Sequence, residues 1–122
     1  MGYCIYLMDY SLQIKKENFA AALEAVKNAF PKNEEIQLFT ELEDAMSEFC
    51  YVLEYNENGD ICGFDFDGEK LRDDEIFWSS LAPFVMDGDY IEMEGEDFNR
   101  WRWSFRNGEC RTIEPTLIWE DK

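Results

Sequence analysis

Residues 2–10 carry almost nothing polar. Tyr3, Ile5 and Leu7 fall on one side of an extended chain, and Cys4, Tyr6 and Met8 on the other. A strand apolar on both faces belongs inside a sheet, so this segment is expected as an interior strand. From Glu17 the spacing changes to threes and fours. Phe19, Ala22, Leu23, Val26, Ala29 and Phe30 mark an amphipathic helix that stops before Pro31. Thr40 and Glu43 have capping-box spacing, and Leu42, Ala45, Met46, Phe49 and Cys50 supply the apolar stripe of a second, shorter helix.

Alternation then takes over. Tyr51–Tyr55 and Ile61–Phe66 flank the polar loop Asn56-Glu57-Asn58-Gly59-Asp60, which predicts a hairpin. Asp73 or Asp74 caps a third helix with Ile76, Phe77, Ser80, Leu81 and Phe84 as its stripe. Three further strands follow the Asp87-Gly88-Asp89 turn: Tyr90–Glu94, Arg100–Phe105 and Cys110–Trp119. Asn107-Gly108 is a type I′ hairpin signal between the last two, and Pro115 places the final strand at an edge or bends it. The order β-α-α-β-β-α-β-β-β lacks βαβ alternation. It predicts a single α+β domain over residues 1–122, with a mostly antiparallel sheet of about six strands and about three helices packed on it.

With 46% hydrophobic and 16% aromatic residues, the chain has material for a core despite its acidity, which sets it apart from disordered acidic tails. No apolar run approaches the ~18 residues of a membrane span. Met1-Gly2-Tyr3-Cys4 lacks the basic start and small-residue cleavage site of a signal peptide. A Met-Gly acylation signal would want Ser or Thr where Tyr6 stands. Cys4, Cys50, Cys62 and Cys110 are widely spaced with no histidine anywhere, so a zinc set is not available and each is expected as a buried free thiol. A cytoplasmic, reducing setting follows from these features.

Charge is the most distinctive property. From Glu34 to Asp97 there are 21 acidic residues and two basic ones, Lys70 and Arg72, a local net of −19 within a chain whose total is −17. Solubility requires a magnitude of only ~2–8 in a small domain. Arg100, Arg102 and Arg106 alternate with Trp101, Trp103 and Phe105, a pattern found in single-strand nucleic-acid sites. A hairpin through Gly95–Asn99, however, sets Glu94 opposite Arg100 and Glu92 opposite Arg102. The arginines then form a carboxylate–guanidinium ladder, and direct nucleic-acid binding is not expected. A calcium loop starting at Gly63 would use Asp65, Asp67, Gly68 and Asp74, but it lacks the first acidic ligand and the final glutamate. No cofactor or metal is assigned. Without histidine or a Gly-rich phosphate loop, nucleophilic triads and nucleotide chemistry have no residues to stand on.

The remaining acids cluster at helix starts and loops: Glu41, Glu43, Asp44 and Glu48; Asp67, Glu69, Asp73, Asp74 and Glu75; Asp87 and Asp89. Carboxylates at ordered spacings substitute for backbone phosphates and steer association with a basic groove. These eleven are the candidate partner-binding residues. The partner class is a basic protein surface: a nuclease, a toxin or a nucleic-acid-binding protein.

The stretches Gly68-Glu69-Lys70-Leu71-Arg72-Asp73-Asp74, Leu81-Ala82-Pro83-Phe84-Val85, Tyr90-Ile91-Glu92-Met93-Glu94-Gly95-Glu96-Asp97 and Trp101-Arg102-Trp103-Ser104-Phe105 give a further lead. Together they resemble a group of small uncharacterised proteins of gut-type bacteria, their phages and mobile elements. Arg72 and Phe98 stand where that group has glycine. The resemblance covers about the C-terminal half, implies a bacterial or phage cytosolic setting, and assigns no residue a role. Inhibitors of the anti-CRISPR, anti-restriction and toxin-immunity kind offer an analogy of type: small, acidic and without catalytic residues. The expected function is therefore a non-enzymatic protein that binds and blocks a basic surface. The alternatives are a small carboxylate- or metal-dependent hydrolase and a homo-oligomeric structural or accessory protein.

Overall fold

A computed structural model describes residues 4–68 and 73–115. Within them the chain forms β1 (Ile5–Ser11), α1 (Phe19–Ala29), α2 (Glu34–Gln37), α3 (Leu42–Glu48), β2 (Tyr51–Tyr55), β3 (Ile61–Phe66), α4 (Asp74–Leu81), β4 (Tyr90–Gly95), β5 (Arg100–Arg106) and β6 (Glu109–Ile113). The class is α+β and every strand pairing is antiparallel. The strands divide differently from expectation: a four-stranded sheet in the order β1-β4-β5-β6 and a separate two-stranded sheet of β2 and β3.

Ile14 explains the division. This fully buried residue bridges both Ile61 and Val85, and exchanges backbone hydrogen bonds of 3.1 and 2.9 Å with Ile61. Immediately afterwards Lys16–Asn18 curl into a 3-10 turn leading to α1, so the pairing ends after a single residue. β1 is consequently an edge strand and not an interior one. Its register slips between Leu7 and Asp9, leaving Met8 as an extra residue. Tyr6 and Met8, expected to be covered, face outward.

Trp78 holds the two sheets together. Its ring lies 5.1 Å from Tyr51, 5.7 Å from Phe64, 5.3 Å from Phe77 and 6.0 Å from Phe105, which brings β2, β3, α4 and β5 to one point. The buried stripe of α4 is Asp74, Phe77, Trp78 and Leu81. Ile76, placed on that stripe by spacing alone, is 49% exposed. The indole carries the largest apolar surface on the helix, and burying it sets the rotation of all its neighbours.

Three smaller corrections follow. Helix α2 is a single turn that Asn33 caps by accepting from the Ile36 amide at 3.0 Å; four residues carry too little periodicity to be seen in sequence. The cap of α3 is Glu41 and not Thr40, and Asp44 Oδ2 accepts from the Glu41 amide at 3.2 Å. The four cysteines are free thiols, but Cys62 is exposed and the others only half-buried. The C-terminal meander keeps its expected register: Ile91 faces Trp103, Glu92 faces Arg102, Met93 faces Trp101 and Glu94 faces Arg100. Positive φ at Asn107 (54°) and Gly108 (75°) gives the β5–β6 turn its type I′ form. The part of the expected last strand beyond Pro115 lies outside the described residues.

Candidate functional site

Leu42, Ala45 and Met46 turn inward on α3, so Glu41, Glu43 and Asp44 turn out. Cys50 ends this segment in the left-handed region at φ 68°, its amide bonded to Ser47 O at 2.9 Å. That reversal sends β2 back along the helix it has just left. Tyr55, at the far end of β2, therefore arrives beside the start of α3. Burial and the adjacent Glu43 and Glu41 carboxylates hold its hydroxyl above the ordinary tyrosine range. Phe19, Ala20 and Leu23 of the neighbouring helix line the same shallow cleft as Glu41, Glu43 and Tyr55.

The second cluster meets the opposite end of α3. The Asp67 amide bonds to Cys50 O at 2.8 Å, placing Asp67 by the last turn of α3, where Glu48 is half-buried. Asp73 is the exposed N-cap residue of α4, and Glu75 is exposed in its first turn, accepting from Thr112 Oγ1 at 3.2 Å. Glu69 lies outside the described residues. These acids and those at the start of α3 thus border β2 at its two ends.

Asp74 belongs elsewhere. It is 2% exposed, and its Oδ2 accepts from the Tyr51 hydroxyl at 2.6 Å, while Trp78 Nε1 donates to the same phenolic oxygen at 3.1 Å. Burial, then the Asp74 carboxylate, pushes the Tyr51 hydroxyl well up, so it remains a donor at any physiological pH. Asp89 is also inside, at 5% exposure. It accepts from Ser11 Oγ at 3.0 Å and from the Gln13 amide at 2.8 Å, fastening the end of β1 to the start of β4. Burial raises its carboxyl pKa, and those two bonds oppose the shift. Both residues are spent on the fold and leave the surface set. Asp87 stays exposed, but it accepts from the Asn107 amide at 2.7 Å and serves the β5–β6 turn. Of the third expected cluster, only Asp87 remains on the surface.

Cations separate from these acids. Arg100 pairs with Glu94 and, at 3.6 Å, with Glu92; Arg102 pairs with Glu92 at 2.7 Å; Arg111 meets Glu109 at 3.4 Å; and Lys15 meets Asp60 at 3.8 Å. Arg102 also lies 4.6 Å over the Tyr90 ring, whose hydroxyl donates to Asp9. Arg100 and Arg102 thus form a ladder with Glu92 and Glu94, as the register predicted. Among the described residues, no ion pair involves Glu41, Glu43, Asp44, Asp67, Asp73, Glu75 or Asp87.

The calcium-loop spacing does not survive folding. Gly63 and Asp65 are extended in β3, and Asp74 is turned to Tyr51. No group of three or more potential ligands converges among the described residues. No helix among them is long and apolar enough to cross a membrane. Sequence reasoning missed Tyr55 as the hydroxyl set among the α3 acids; its only signal was its place at the end of an alternating strand. No protein-family model, curated protein or solved structure matches the chain.

Proposed function

We propose that this chain is a non-enzymatic protein of a bacterial or phage cytosol that binds a basic protein surface and blocks it by covering it. One observation carries the reading. Exposed carboxylates without a cationic partner flank β2 at both ends, whereas Arg100 and Arg102 of β5 are engaged by Glu92 and Glu94 of β4. Unneutralised surface charge raises encounter rates with an opposite field and falls off over a Debye length of ~8–10 Å at physiological salt. A basic groove shaped for phosphates supplies such a field.

The test is affinity capture from bacterial lysate at low ionic strength, followed by binding measurements on the purified partner across a salt series. The wild-type chain is expected to capture a basic protein with an affinity that falls steeply as salt rises. The variant Glu41→Gln/Glu43→Gln/Asp67→Asn/Asp73→Asn is expected to bind about ten-fold more weakly at low salt and to flatten the salt dependence. An acidic or neutral partner, or equal binding by the variant, overturns the reading.

A further inference from the structure

The β4–β5 turn carries a residue that the fold does not use. Gly95 and Asn99 close it through a 2.9 Å bond from the Gly95 amide to Asn99 O, and the Phe98 amide returns to Gly95 O at 2.9 Å. This leaves a three-residue loop whose last position must be left-handed, a place where glycine is the unstrained choice. Phe98 occupies it at φ 66°. Its side chain is 83% exposed, the highest value among the exposed large hydrophobics, so no packing offsets the strained backbone. The loop is nevertheless well braced: the Glu96 amide bonds to Cys4 O at 2.9 Å, and Asp97 Oδ1 accepts from the Asn99 amide at 3.0 Å.

A water-exposed aromatic on a braced turn, close in sequence to the exposed Glu96 carboxylate, fits a specific complement. The geometry points to Phe98 as an anchor that inserts into an apolar socket bordered by arginine or lysine on a partner protein, with the exposed Glu96 meeting those cations. Bracing fixes the backbone of the turn before contact, which lowers the ordering cost of association. Aromatic anchors of this kind carry most of the energy of protein interfaces, while surrounding charges set rate and register. The turn also adjoins the acidic surface, since Asn99 lines one cleft with Asp74 and Glu75. The inference rests on the acidic-surface reading and adds to it a salt-independent contact.

Two synthetic peptides of equal charge test it by fluorescence anisotropy with the full chain: one alternating arginine with glycine, the other alternating arginine with leucine. The wild type is expected to bind the leucine peptide about ten-fold more tightly. Phe98→Gly is expected to lose that preference, to bind the glycine peptide like wild type, and to melt at a higher temperature because the left-handed strain is gone. Phe98→Ser, which keeps the backbone strain, should lose the same preference without the gain in melting temperature. A wild type without preference for leucine, or a Phe98→Gly chain that retains it, overturns the proposal. If the α3/α4 amide variant binds the leucine peptide undiminished while Phe98→Gly does not, the turn stands and the acidic-surface reading falls.

Discussion

Asp74 and Asp89 show how far a carboxylate's role depends on the residue it meets. Neighbours in sequence, Asp73, Asp74 and Glu75 differ only in their angle around α4, and that angle puts Asp74 against Tyr51 while its flanking acids stay in water. Spacing can propose an inward position, but a carboxylate there is credible only once its donor is known. The donor comes from a strand 23 positions earlier. Removing the Tyr51 hydroxyl therefore leaves a buried acceptor short of one bond and strands the Trp78 N–H as well. Tyr51→Phe is expected to lower stability by about 1–3 kcal/mol in urea unfolding, the usual cost of an unmet buried polar group. A loss within about 0.5 kcal/mol, typical of surface changes, would mean that water or another group replaces the hydroxyl.

Helices and strands were legible wherever local chemistry determines them. The β2–β3 hairpin and the register of β4 on β5 follow from alternation, turn residues and opposite charges, all contained within a few consecutive positions. The separation into two sheets is not local. It depends on Ile14 bridging residues 61 and 85, and no periodicity reports a bridge one residue long. For the same reason β1 read as interior: its apolar outward residues imply a covering neighbour, but the pairing beyond β1 stops at Ile14 and leaves the strand at an edge. Of the candidate site, the acids themselves were visible in sequence, but their grouping was not, because the reversal at Cys50 decides which ends of α3 and β2 meet. Turn chemistry, by contrast, should behave as its sequence states. A Cβ at Gly108 would find Pro83 Cα at 3.8 Å, an ordinary contact, so space is no obstacle there; the φ of 75° is. Gly108→Ala is expected to cost about 1–2 kcal/mol by urea unfolding, the left-handed penalty alone. An unchanged midpoint would show that the β5–β6 turn relaxes to another type.

Across the molecule, the two kinds of charge have been kept apart. From Glu34 to Gly68 there are 11 acidic residues and no basic one, and packing lays α3 and β2, which with the cap Glu41 carry five of them, side by side. Repulsion among exposed acids opposes folding, and among the described residues no ion pair involves Glu41, Glu43, Asp44, Asp67, Asp73 or Glu75. Their retention is an expense to stability that a binding role would explain, since association surfaces commonly sacrifice folding energy. Sodium chloride is therefore expected to raise the melting temperature by screening, steeply at first and then levelling as the Debye length shortens. The Glu41→Gln/Glu43→Gln/Asp67→Asn/Asp73→Asn variant should melt higher than wild type at low salt, and the two curves should converge as salt rises. Asp73→Asn keeps a residue favoured at a helix N-cap, so the cap does not confound the comparison. A variant that melts lower throughout would place these carboxylates in folding interactions instead. A variant that is more stable yet captures no partner is the combination expected of a surface held in readiness for a basic protein.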